Sequence, residues 1–125
     1  MEELLSNYPK FADEMQAFTP QANDTLLFQK LEGYDLVVVF GLWCHDSQRE
    51  VPRLLKLIEQ SQVKLNSLQL VAINQQKELP AFLSNDFAIQ YTPTIFVAQK
   101  GQILAKMIEK PKQSIAKDLL SQILH

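Results

Sequence analysis

The run "LVVVF" at residues 36–40 constrains the fold more than any other stretch of this chain. Its β-branched and aromatic side chains favour a strand. A short apolar run with no polar alternation is typical of a strand that is buried on both faces. Residues 47–60 follow it with apolar side chains at helical spacing, at Val51, Leu54 and Leu55 among others. The sequence therefore predicts a central strand that leads into an amphipathic helix.

Further strand and helix patterns complete an α/β arrangement. Residues 68–73 read as a second strand, which should lie parallel to the first through a right-handed crossover. Residues 94–98 and 102–108 flank a turn at Gly101 and predict a β-hairpin. A helix of about ten residues is expected after Pro80, by its pattern, and another closes the chain. We expect a mixed sheet of about four strands with helices on both faces.

The N-terminal part of the chain is predicted to be helical. Asn23 or Asp24 could cap a helix there, although "TLLFQKL" could instead form an edge strand. We treat residues 1–125 as a single domain in which residues 1–21 form a helical extension. Three phenylalanines of the second half are expected in the core: Phe82, Phe87 and Phe96.

Charge and hydropathy exclude several classes of protein. The net charge of −2 argues against binding to nucleic acid, which usually requires a basic face. No segment approaches the roughly 18 consecutive apolar residues of a membrane span, and the acidic N-terminus does not resemble a secretory signal. We expect a cytoplasmic monomer with no membrane partner.

Cys44 is the only cysteine, so this chain cannot form an internal disulfide bond. It lies between the predicted central strand and the helix that follows. Unpaired N–H groups and the helix dipole stabilise a thiolate there, and they lower a cysteine pKa from its usual value of about 8.5. A protonated His45 would add to this effect, whereas Asp46 would oppose it by like charge. We predict a lowered pKa and a candidate nucleophile; the alternative is a cysteine with no redox role.

The segment "LVVVFGLWCHDSQREVP" resembles the active-site strand, loop and helix of the thioredoxin family. Trp43 directly precedes the cysteine, and Pro52 stands where that family has a proline in its active-site helix. Further on, "YTPTIFVAQKGQIL" is similar to the segment that holds the family's cis-proline. The resemblance implies a thioredoxin-like three-layer α/β/α fold, a cis bond between Thr92 and Pro93, and a partner peptide paired with the backbone of Thr92.

The departures from the family bear on the chemistry. Ser47 replaces the resolving cysteine, His45 and Asp46 replace a Gly-Pro pair, and Val38 replaces a buried acid. A dithiol cycle therefore cannot run within this chain. The resemblance implies a monothiol thiol-disulfide oxidoreductase-like protein, in which Cys44 forms mixed disulfides with protein or low-molecular-weight thiol partners. An external thiol, glutathione among the candidates, would resolve them. The alternative is a redox-inactive peptide-binding or adaptor module.

The remaining residues of the candidate site allow more than one interpretation. Ser47 begins a capping-box pattern with Glu50, so it could start the helix; if Cys44 is the cap, its hydroxyl lies near the sulfur. A serine introduced to trap partners is also compatible with the sequence. Trp43 is expected to form a partly exposed wall of the site. Cys44, His45 and His125 are too few soft ligands for structural zinc, so we expect no metal and no resident cofactor.

Overall fold

The computed structural model describes residues 2–124. The five α-helices are α1 (Glu2–Asn7), α2 (Pro9–Ala17), α3 (Ala22–Phe28), α4 (His45–Ser61) and α5 (Ile115–Ile123). The four strands are β1 (Asp35–Phe40), β2 (Ser67–Ala72), β3 (Thr94–Gln99) and β4 (Gln102–Ile108). Met1 and His125 lie outside the described residues.

The strands form one mixed sheet in the order β2-β1-β3-β4. Strand β1 runs parallel to β2 and antiparallel to β3, and β3 pairs with β4 as a hairpin. At the hairpin turn Lys100 and Gly101 both have positive φ, at 53° and 78°, which glycine adopts without a steric cost. The predicted fold class, an α/β thioredoxin-like fold around a four-stranded mixed sheet, is confirmed.

Two apolar layers cover the sheet. The larger one packs all five helices against one face, with Phe11, Phe28, Leu54 and Leu119 among its buried side chains. The smaller one lies on the opposite face and is covered by residues 79–89, whose helical part is the short 3₁₀ helix Asn85–Phe87. Both layers share β1, whose side chains are almost all buried. Its continuous apolar run is therefore explained by apolar neighbours on both faces.

The prediction of a helix after Pro80 is wrong. Within residues 79–89 the structure has only a 3₁₀ turn, Asn85–Phe87. The Ser84 hydroxyl accepts a hydrogen bond from the N–H of Asp86 at 3.2 Å, and such local bonds compete with a continuous helix. Phe87 and Phe96 are buried as predicted, but Phe82 is 73% exposed, so its assignment to the core is also wrong.

The N-terminal segment is helical as predicted, and the alternative of an edge strand is wrong. The N-cap residue of α3 is Gln21, whose side chain makes no capping bond, and not Asn23 or Asp24. Asp24 lies in the first turn instead, buried, where its carboxylate accepts a hydrogen bond from the hydroxyl of Ser114 at 3.1 Å. The division into one domain with an extension over residues 1–21 stays a prediction. Within residues 2–124, no helix combines the length and the apolar character needed to cross a membrane.

The packing of α2 predicts that the N-terminal helices contribute to stability. Phe11 is buried and its ring meets the ring of Phe40, at the end of β1, edge to face with centroids 6.0 Å apart. Phe11→Ala should lower the free energy of unfolding by about 3–5 kcal/mol, as measured by chemical denaturation. Leu26→Ala, at a side chain that is 62% exposed, is the control and should change it by about 0.5 kcal/mol or less. Equal effects of the two substitutions would contradict this packing.

Candidate active site around Cys44

Helix α4 begins at Cys44, which is its N-cap residue. The N–H of Gln48 donates to the carbonyl of Cys44 at 2.9 Å, and the N–H of Cys44 donates to the carbonyl of Gly41 at 3.1 Å. A tight turn thus connects the end of β1 to the helix. Ser47 lies inside the first turn, three residues after the N-cap, so it does not start the helix as the capping-box interpretation required.

The thiol of Cys44 is partly buried against the loop that precedes β3. Its Sγ donates a hydrogen bond to the carbonyl oxygen of Thr92 at 3.4 Å. Burial raises the pKa of Cys44, but hydrogen bonds from the Thr92 side chain, from the backbone and hydroxyl of Ser47 and from the backbone of Asp46 together lower it below its ordinary value. Thr92 therefore accepts from the thiol through its carbonyl and favours the thiolate through its hydroxyl. The direction of the pKa shift is the one predicted from the sequence.

Ser47 connects the central strand to the sulfur. It is fully buried, and its hydroxyl oxygen accepts a hydrogen bond from the N–H of Gly41 at 3.1 Å. A hydroxyl carries one proton and two lone pairs, so it can accept this bond and still donate its own proton. The hydroxyl thus contributes to the lowered pKa of Cys44. The buried hydroxyl thus links the end of β1 to the first turn of α4 beside the sulfur.

The negative charge of Asp46 is compensated within the helix. Its carboxylate contacts the guanidinium of Arg49 at 3.0 Å, and the same guanidinium donates to the carboxylate of Glu50. The hydrogen bond that Arg49 donates to Glu50 raises the pKa of Arg49 above its ordinary value. The repulsion between Asp46 and a thiolate at Cys44, which the sequence suggested, is therefore offset by Arg49.

Trp43 forms an exposed wall beside the cysteine, as expected. Its ring is 39% exposed, its indole N–H donates to the carbonyl of Ile73 at 3.2 Å, and the Lys77 ammonium lies 5.8 Å from the ring centroid. A Cβ on Gly41 would lie 2.5 Å from Cε2 of this ring. Glycine is required here because the indole packs directly on the backbone. His45 is exposed to solvent.

The loop before β3 completes this corner of the molecule. The Thr92–Pro93 peptide bond is cis, and both residues are buried. The loop is fixed by a bond from the Thr94 hydroxyl to the carbonyl of Tyr91 at 2.8 Å. A second bond runs from the N–H of Glu109 to the carbonyl of Pro93 at 2.8 Å. The structure therefore brings Thr92 into contact with Cys44 across a large separation in sequence.

Sequence reasoning missed the role of Glu50. It placed this residue in a capping-box pattern and assigned no other role to its charge. Its side chain is 2% exposed although it carries a carboxylate. A signal was available, because Glu50 lies between Ser47 and Leu54 on the buried face of α4, at spacings of three and four residues. Arg49 and Arg53 on the same helix are both paired with acids. Among the side chains of residues 2–124, no group of three His, Cys, Asp or Glu is arranged to hold a metal ion.

Solved structures resemble this fold, at low sequence identity. A protein of unknown function from Pseudomonas aeruginosa is 17% identical, with a TM-score of 0.60 over 92% of this chain and 69% of that one. An HIV epitope scaffold is 16% identical, with a TM-score of 0.58 over 90% of this chain and 68% of its own. Thioredoxin f2 of Chlamydomonas reinhardtii is 22% identical, with a TM-score of 0.46 over 66% of this chain and 71% of that one. No family model and no curated protein matches the sequence. These similarities show the fold alone.

The environment of the sulfur predicts the effect of removing one hydroxyl. Ser47→Ala deletes a hydrogen bond that favours the thiolate, so the pKa of Cys44 should rise. The pKa can be read from the ultraviolet absorbance of the thiolate as a function of pH. Ser67→Ala, which removes an exposed hydroxyl bonded to Asp35 in β1, is the control and should leave the pKa unchanged. A pKa that stays constant or falls in Ser47→Ala would show that this hydroxyl does not act on the sulfur.

Proposed function

We propose that this protein is a monothiol thiol-disulfide oxidoreductase-like protein in which Cys44 forms mixed disulfides with protein or low-molecular-weight thiol partners. The observation that carries the proposal is the lowered pKa of a partly exposed cysteine at the start of α4. The thiolate is the nucleophilic form of cysteine, so a lowered pKa increases the reactive fraction near neutral pH. A structural cysteine in an apolar core would have its pKa raised instead.

The reaction is an exchange of sulfur partners. The Cys44 thiolate attacks one sulfur of a disulfide, a new bond forms between the two sulfurs, and the other half of the disulfide leaves as a thiolate. A second, external thiolate then attacks the mixed disulfide and returns Cys44 to its thiolate form. The external thiol is then joined in a disulfide to the second half of the original one, and Cys44 ends as it began. A further external thiol releases that half, so two external thiols together supply the two electrons that reduce the original disulfide.

The resolving thiol must come from outside the chain. In the proposed site Ser47 stands where a resolving cysteine would be, and its hydroxyl cannot form a disulfide. Cys44 is the only cysteine of the sequence. Glutathione or a partner protein's cysteine can supply the second thiolate, and such thiols are abundant in a reducing compartment such as the cytoplasm. We propose that the protein acts there as a monomer and without a resident cofactor.

The surroundings of the sulfur suit an extended protein partner. Trp43 precedes Cys44 and Tyr91 precedes Thr92, and both aromatic side chains are exposed. Since the sulfur of Cys44 contacts the carbonyl of Thr92, the two aromatic residues flank the same corner. Exposed aromatic side chains supply much of the binding energy of protein interfaces. The same observation supports the alternative, a redox-inactive module that docks peptides beside Pro93.

Reaction with glutathione disulfide separates the two functions. Wild-type protein should acquire one glutathionyl group and release one glutathione per chain, as followed by mass spectrometry, and added glutathione should reverse the modification. Ser47→Cys should instead release the glutathionyl group on its own, because the new thiol lies at the resolving position. Ser67→Cys, which adds a thiol on the exposed edge of β2, should stay modified until a thiol is added.

Three results would count against the monothiol proposal. The first is a wild-type protein that does not react with glutathione disulfide. The second is identical behaviour of Ser47→Cys and Ser67→Cys, which would mean that position 47 does not face the sulfur bond. The third is retention of all protein partners by Cys44→Ala, which would favour the docking module.

A further inference from the structure

A cavity lies beside α4 and apart from Cys44. Its volume is about 370 Å³, within the range of small-molecule sites. It is open to solvent on one side and is lined by the connection between α2 and α3, by α4 and by the residues around the start of α5. Neither residues 43–47 nor Thr92 and Pro93 line it. It is therefore distinct from the candidate active site.

Glu50 supplies the most deeply buried charge of the cavity wall. One carboxylate oxygen, Oε2, accepts a hydrogen bond from Arg49. The other, Oε1, is buried and has no hydrogen-bond partner among residues 2–124. A buried charged acceptor without a partner is unfavourable, so a donor that reaches it would be bound with a gain in free energy. The terminal torsion of a glutamate is soft, which lets the carboxylate rotate toward such a donor.

The other charged side chains of the cavity are arranged by depth. Asp24 is 9% exposed and, like Glu50, lies deep. Arg53 and Lys117 also line the cavity, but Arg53 is half-buried and Lys117 is exposed. The Arg53 guanidinium lies 5.0 Å from the centroid of the Phe18 ring and reaches Glu14 only through Nε, at 3.5 Å. The acids are thus deep and the bases lie toward solvent, with two charges of each sign.

We propose that this cavity binds a small zwitterion of the amino-acid class. The ammonium group of the ligand points inward to Glu50 and Asp24, and its carboxylate points outward to Arg53 and Lys117. An anion alone would meet two buried acids, and a cation alone would make no contact with the two bases. Phe18, Leu57 and Ile115 also line the cavity and can contact a carbon side chain.

Binding is tested by NMR titration of the full chain with L-leucine. Saturable shifts should appear at the amides of residues that line the cavity, with a dissociation constant in the range of about 1 mM or below. Isocaproate lacks only the ammonium group and isoamylamine lacks only the carboxylate. Each should bind at least about tenfold more weakly, because each loses one pair of ionic contacts.

Substitutions identify the residues that bind. Glu50→Gln keeps the shape of the side chain and removes its charge, and it should weaken L-leucine binding about tenfold. Because Glu50 is buried, a second variant at the exposed Lys117, Lys117→Gln, keeps the test independent of folding and should weaken binding severalfold. Lys112→Gln, at an exposed lysine that does not line the cavity, is the matched control and should bind as the wild type does. Cys44→Ala should also bind normally, so that failure of the redox proposal would leave this one standing.

The proposal is overturned by three outcomes. One is the absence of saturable shifts at the cavity with L-leucine up to about 10 mM, a concentration that would detect even a weak site. Another is equal binding of isocaproate or isoamylamine, which would exclude recognition of a zwitterion. The last is binding that neither Glu50→Gln nor Lys117→Gln weakens.

Discussion

The hydrogen bond from the Gly41 N–H to the buried hydroxyl of Ser47 joins the central strand to the first turn of α4, and the geometry of the candidate site depends on this junction. Cys44 is the N-cap residue of the same turn, and the Ser47 hydroxyl contributes to the lowered pKa of its thiol. Gly41 has a second role there, because any side chain would collide with the ring of Trp43. The end of β1, the turn, Cys44 and the Trp43 ring therefore hold fixed positions relative to one another.

At this junction Ser47 influences the protonation of Cys44. Its hydroxyl lowers the pKa of Cys44 together with Thr92 and the first-turn N–H groups. These hydrogen bonds outweigh burial, which acts in the opposite direction. Asp46, the nearest like charge, is paired with Arg49. In our proposal the site activates one sulfur and relies on a second molecule to release it.

The strands and the hairpin could be predicted because short local patterns specify them. The burial of individual side chains such as Phe82 and Glu50 could not, because it depends on contacts between distant parts of the chain. The apolar run of β1 and the turn at Gly101 specify their structures within a few residues, and both were placed correctly. The segment after Pro80 has an apolar content that suits a helix, but its hydrogen bonds close locally and leave Phe82 exposed. The buried carboxylate of Glu50 depends on how the connection between α2 and α3 and the start of α5 meet α4, which no short pattern encodes.

The central claim is that Cys44 is an activated nucleophile, and its reaction rate with a neutral disulfide reagent at about pH 7 tests this most directly. A lowered pKa increases the thiolate fraction more than it reduces the nucleophilicity of each thiolate, as long as the pKa stays near or above the working pH. We expect Cys44 to react faster than free cysteine under the same conditions. A slower reaction in folded protein, together with a pKa at or above about 8.5, would contradict it.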